Sequence, residues 1–132
     1  MKNNILKFTV FLYYLALIVL LIVYLYPGSI IGYLLYGDSG TQPNFVKNPA
    51  GTSINHFFYF SFLACLGLIY NSIKKKFINS FFFFFVLSIF LELAHYVIPN
   101  RAFELNDVIA NCLGIIIIYF LIQLKKFVNE KI

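Results

Sequence analysis

The sequence predicts an all-α, polytopic membrane protein: a bundle of four transmembrane helices with both termini in the cytoplasm. Three observations predict it. Hydrophobic residues make up 61% of the 132 positions and charged residues 11%, less than half the charged share of a soluble domain. Four apolar runs reach or approach the ~20 residues that cross ~30 Å of hydrocarbon. Eight of the ten Lys and Arg residues fall into three clusters, which four crossings place on a single side. With 20% aromatics and a mean hydropathy of +0.86, most of the surface is unsuited to water, and soluble classes are set aside. The length fits one domain, residues 1–132.

The first run, residues 8–26, follows Lys2 and Lys7. A cleavable signal has an apolar stretch of only ~7–15 residues ending in small side chains. This run ends in "YLYPGS", so it reads as a retained helix. The second run covers 54–73 and stops at Lys74, Lys75 and Lys76. The third covers 77–98, and Pro99 closes it because proline lacks the N–H and disfavours helix at the residue before it. The fourth covers 105–124, followed by Lys125, Lys126 and Lys131. The clustered cations mark the cytoplasmic side and suit anionic inner-leaflet lipid. The net charge of +5 therefore reflects topology, and a nucleic-acid partner is not expected from a three-lysine loop between two spans.

Residues 27–53 form the outer loop, rich in Gly, Pro, Asn and Ser, which favour turns. Its apolar "IIGYLLYG" is expected to lie along the membrane interface. The "FFFFF" run at 81–85 covers every side of a helix and is explained by lipid contact and packing. Cys65 and Cys112 fall within spans with no CxxC pair, and read as small hydrophobes.

Polar residues collect at the outer ends of the runs. Ser88, Glu92, His95 and Tyr96 lie three and four residues apart and share a helical face; Asp107, Asn111 and Gly114 form a second stripe. Asn55 and His56 stand at the outer start of the second run. A charge within the membrane costs ~2.5–3.5 kcal/mol even on lenient scales, so it faces a bundle interior or a wet cavity. The pattern predicts an outward-opening polar pocket between the second, third and fourth helices. Its candidate ligand-binding residues are His56, Glu92, His95, Arg101, Asp107 and Asn111. Plainer roles stand beside this one. Asp107 or Asn106 can cap the fourth helix, Arg101 can anchor at the interface, His56 can sit there as an amphipathic ring, and Asn111 can bond between helices. Glu104 is expected to be exposed.

Glu92, His95, Pro99, Arg101, Glu104, Asp107, Asn111 and Gly114 spell a pattern that resembles the VanZ-like family. That family shows Glu, then Gln, then P-x-R, then D-x-x-x-N-x-x-G across its last two helices. "TSINHFFYF" matches its upstream His-Phe-x-aromatic segment at His56, Phe57 and Tyr59. The likeness covers roughly residues 52–124, with two departures: Thr52 and Ser53 replace an Asp-Lys pair, and His95 replaces the Gln. The resemblance implies a multi-pass protein of the bacterial plasma membrane. The family's namesake is associated with low-level teicoplanin resistance.

Three functions compete. The favoured one is binding of an anionic or glycosylated lipid headgroup, such as a cell-envelope precursor, with Arg101 on phosphate. The alternatives are a structural or assembly subunit, working as a homo-oligomer or with a membrane partner, and a membrane-embedded acid–base enzyme. Glu92-x-x-His95 is the single paired-ligand motif, which falls short of a metal site, so neither metal nor other cofactor is expected. Transport lacks the inverted repeat it needs.

Overall fold

The computed structural model describes residues 2–43 and 51–130; Lys47 and Lys131 lie outside them. Among the described residues the chain is entirely helical. Helix α1 spans Lys2–Leu25, α2 Ile30–Tyr36, α3 Ser53–Ile73, α4 Phe81–Ala94 and α5 Leu105–Asn129, with a 3-10 turn at Phe77–Asn79 ahead of α4.

Three helices, α1 from Asn4 onward, α3 and α5, are long and apolar enough to cross a membrane. These match the first, second and fourth runs, although α1 starts earlier and α5 ends later than the apolar pattern suggested. The third run, expected as one helix over 77–98, is divided. The Asn79 side chain accepts from the Lys76 N–H at 3.0 Å and donates to the Lys74 carbonyl at 3.0 Å. Ser80 Oγ accepts from the Phe83 N–H at 3.2 Å and caps α4. Short polar side chains here compete with the helical ladder, and α4 begins only at Phe81. At its far end the N–H groups of His95, Tyr96 and Val97 bond three residues back, tightening the chain before Pro99. Asn100, at φ 58°, then reverses it toward α1. The 14 residues of α4 rise about 21 Å, less than the hydrocarbon thickness.

The expected outer loop contains α2. Ser29 Oγ accepts from the Gly32 N–H at 2.9 Å at its start, and Gly37 in the left-handed region ends it. Tyr33, Leu34, Leu35 and Tyr36 are exposed, which suits an interfacial segment. The chain then folds back over α2. The Asp38 carboxylate accepts from the Thr41 hydroxyl at 2.6 Å and the Gly40 N–H at 2.8 Å, and these bonds lower its pKa. A β-carbon on Gly32 would lie 1.8 Å from the Thr41 carbonyl oxygen, so only glycine lets this loop close.

Each long helix buries one stripe. On α1 it is Tyr13, Ala16, Leu20 and Tyr24; on α3 Phe60, Leu63, Ala64 and Leu68. On α4 it is Phe84, Ser88, Leu91 and Glu92, and on α5 Asp107, Asn111, Gly114 and Ile115. The spacing of three and four residues is the helical repeat. The reverse faces expose large apolar side chains such as Phe8, Phe82 and Phe120, an arrangement suited to lipid. Within "FFFFF", Phe84 enters the core while Phe82 faces out. The central helix is α3, with 39% of its apolar window buried against 22% for α1 and for α5.

In lipid the apolar contacts supply little drive, so close packing and hydrogen bonds between helices hold the bundle. Tyr59 Oη donates to the Ala16 carbonyl at 3.0 Å, and Tyr13 Oη donates to the Ile78 carbonyl. A β-carbon on Gly114 would stand 2.6 Å from the Phe57 carbonyl oxygen and 2.7 Å from Ser61 Oγ. The main chains of α3 and α5 therefore meet at this glycine. Gly114→Leu is expected to force them apart and cost ~1–3 kcal/mol, while Ile117→Ala on the exposed face changes stability by no more than ~0.5 kcal/mol. Thermal unfolding of both variants in detergent checks this.

Candidate functional site

The C-terminal ends of α1 and α4 meet the N-terminal ends of α3 and α5, and every candidate side chain lies at this end of the bundle. His56 is in the first turn of α3, Asp107 in the first turn of α5 and Asn111 one turn further on. Glu92 is in the last turn of α4, and His95 caps it. Arg101 reaches in from the α4–α5 turn.

Two carboxylate–imidazole pairs form the centre. His56 Nε2 lies 3.3 Å from Asp107 Oδ2, and His95 Nδ1 lies 3.1 Å from Glu92 Oε1. Asp107 suits the positive end of α5's dipole, and His95 the negative end of α4's. Glu92 does not: its carboxylate is fully buried at a helix C-terminus, where the dipole repels it. Its compensation is local. The Glu104 N–H donates to Glu92 Oε1 at 3.2 Å, alongside His95 Nδ1. His95 Nε2 is 3.3 Å from the Tyr24 carbonyl, which can only accept, so that nitrogen carries a proton.

Tyr24 ties the pairs together. Its Oη is 2.5 Å from His56 Nδ1 and 3.2 Å from Asn111 Oδ1, and its ring stacks on His95 at a centroid distance of 5.5 Å. One α1 side chain thus touches α3, α4 and α5. Arg101 is held by α1 as well. Its guanidinium donates to the Val23 carbonyl at 2.6 Å and to the Tyr26 carbonyl at 3.4 Å, satisfying the last turn of that helix. Burial lowers the Arg101 pKa, while Tyr24, Glu92 and Asp107 nearby oppose that effect. Glu104 is exposed, as expected; desolvation first, then the charges of Asp107 and Glu92, raise its pKa.

Four buried polar atoms have no partner among the described residues: Glu92 Oε2, Asp107 Oδ1, Asn111 Nδ2 and Ser61 Oγ. Each carboxyl therefore has one oxygen held and one free. One ligand atom each from His56, Glu92 and Asp107 lies within 4.8 Å of the others, a grouping that could hold a metal ion.

The six candidates converge, with amendments. The cluster expected between the second, third and fourth helices also takes in the first, through Tyr24, and the cleft beside it has no lining residue from α5. Tyr24 went unnoticed because an aromatic at a run's end reads as an interfacial anchor. Its place on the Tyr13, Ala16, Leu20, Tyr24 stripe was the available signal. Tyr96 leaves the group: it is exposed and stacks on Phe103 at 4.9 Å. Glu92-x-x-His95 is a hydrogen-bonded pair, and His95 stands outside the possible metal-holding set.

Beside the cluster opens a cleft of about 350 Å³. Leu20, Val23, Ile31, Phe58 and Phe62 give it apolar walls, while Ser29, Gln42, Asn55, His56, His95 and Arg101 supply polar groups. Asn55 Nδ2 donates to the Pro43 carbonyl at 2.9 Å, so the returning loop forms part of the rim. Tyr24→Phe should keep the ring stacking and remove the hydroxyl that links His56 to Asn111. The expected loss is ~1–3 kcal/mol, read by chemical unfolding in micelles.

The VanZ/LLP1 family matches residues 8–126, a span that contains α2, α3, α4, the three-lysine loop and all six candidates. No curated protein and no solved structure matches the chain. By that near-complete match this chain belongs to the VanZ/LLP1 family.

Proposed function

We propose that the chain is a single membrane domain that crosses the membrane four times, with both termini cytoplasmic, and binds an amphiphile's headgroup in the cleft beside Tyr24. The fourth crossing is the segment around α4. Its 14 helical residues rise about 21 Å, and the apolar 3-10 turn before it and the tightened turn after it add to the length available for crossing. The positions of Lys7, Lys74, Lys75, Lys76, Lys125 and Lys126 then agree with a common cytoplasmic side.

The observation that carries the binding reading is the cleft's mixed lining. Leu20, Ile31, Phe58 and Phe62 suit an acyl or isoprenyl chain, and His56, Asn55, Gln42 and Arg101 suit a polar head. The ligand class is a membrane lipid or a lipid-linked cell-envelope precursor. Arg101 acts differently from a free phosphate clamp. Two of its donors serve α1 carbonyls, leaving the rest of the guanidinium for an anionic head.

Native mass spectrometry of the gently extracted protein tests this, with Ile31→Trp filling the apolar wall and Arg101→Ala removing the cation. Wild type should retain a defined lipid, and each variant should lose it by at least about tenfold with its helical circular dichroism unchanged. The same bulk lipid on all three proteins would show that the cleft is not a selective site. Cysteine labelling of intact cells tests topology: cysteines introduced near Lys75 and Lys125 should both be protected from an impermeant reagent.

A further inference from the structure

We infer that His56, Glu92 and Asp107 form a binding site for a single divalent transition-metal ion of the Zn2+ kind. The site shares His56 with the cleft but does not require the amphiphile reading.

The argument begins with the two orphaned oxygens. Glu92 is fully buried and Asp107 is 4% exposed, yet Glu92 Oε2 and Asp107 Oδ1 have no partner among the described residues. A buried carboxylate oxygen without a donor is costly, and the usual remedies are a hydrogen bond, a proton or a metal. Arg101, the nearby permanent cation, donates to the Val23 and Tyr26 carbonyls. Both orphaned oxygens belong to carboxyls of the same three-residue cluster, whose ligand atoms span no more than 4.8 Å. Ligands of a tetrahedral ion bound at ~2.1 Å stand ~3.4 Å apart, so shifts of roughly 0.7 Å by each side chain of the widest pair close the set.

The surroundings have the form of a supporting shell for metal ligands. Such ligands are oriented by hydrogen bonds to the atoms that do not bind the ion. Glu92 Oε1 is held by His95 Nδ1 and by the Glu104 N–H, which leaves Oε2 available. His56 Nδ1 is held by Tyr24 Oη, which leaves Nε2 available. Tyr24 is itself anchored on Asn111, the next residue of the α5 stripe. His56 Nε2 stands 3.3 Å from Asp107 Oδ2, so these two ligand groups already face each other. His56 lines the cleft, which gives an ion a way in.

The donor set selects the ion. One imidazole nitrogen and two carboxylate oxygens favour Zn2+ or a neighbouring first-row ion over all-oxygen ions such as Ca2+. Neither Cys65 nor Cys112 belongs to the set, which disfavours Cu(I). Three protein ligands also leave one tetrahedral position open toward an incoming oxygen.

The test uses the full chain, tag removed and chelator-stripped, in detergent, titrated with Zn2+ against a chromogenic chelator and separately with Co2+. The expected result is one Zn2+ per chain and a tetrahedral Co2+ absorption band. His56→Gln and Asp107→Asn should each weaken binding by at least about tenfold. Since the chain has two histidines, His56→Gln tests the imidazole ligand cleanly. Should either variant misfold, the wild-type Co2+ spectrum decides alone. Binding weaker than about 10 µM, an octahedral aquo-type spectrum, or unchanged binding in folded His56→Gln would overturn the assignment.

Discussion

The interaction on which the rest of this end of the molecule depends is the burial of the Glu92 carboxyl at the negative end of α4. An isolated carboxylate there would be opposed by desolvation and by the helix dipole together. It is accommodated because two groups converge on one of its oxygens. His95 comes from its own helix cap, the Glu104 N–H comes from the start of α5, and the α4–α5 turn sets the distance between them. That turn in turn depends on Pro99 and on Asn100 in the left-handed region. A change in the turn would move Glu104, and Glu92 would lose a donor it cannot replace from lipid.

From Glu92 the dependence spreads to α1. His95 spends its second nitrogen on the Tyr24 carbonyl, and Arg101 spends donors on the Val23 and Tyr26 carbonyls. These are orphan acceptors at the end of α1, and in a bilayer they have few other partners. The groups that finish α1, His95 and Arg101, are therefore the same ones that stand beside the acidic cluster. Tyr24 closes the loop by carrying its hydroxyl to His56 and Asn111. Packing and polar contacts are hard to separate in such an arrangement, because Tyr24, His56, His95 and Arg101 each make at least two contacts.

The sequence made the membrane character legible. The apolar runs located α1, α3 and α5 within a few residues, because a span's length and hydropathy are set by the bilayer and need no knowledge of neighbours. It also made the candidate cluster legible: polar side chains at helical spacing in a lipid-soluble chain have few places to go. What it concealed was anything decided by main-chain atoms or by pairing. The α4 start depends on Asn79 and Ser80 folding onto local backbone. The involvement of α1 depends on carbonyls, which have no signature in residue type. The spacing along the third run paired Glu92 with His95, and the fold keeps that pair at 3.1 Å, but the spacing could not show that His56 and Asp107 from two other helices stand beside Glu92.

The central claim is that His56 and His95 belong to one buried network shared by four helices, with Tyr24 at its middle. Magic-angle-spinning NMR of histidine- and tyrosine-labelled protein in lipid bilayers measures this directly, since the chain contains only two histidines. The account predicts two resolved imidazoles, each with through-space contacts to Tyr24, one to an Asp carboxyl carbon and the other to a Glu carboxyl carbon. Imidazoles that exchange freely with water and show no contact to Tyr24 would contradict it.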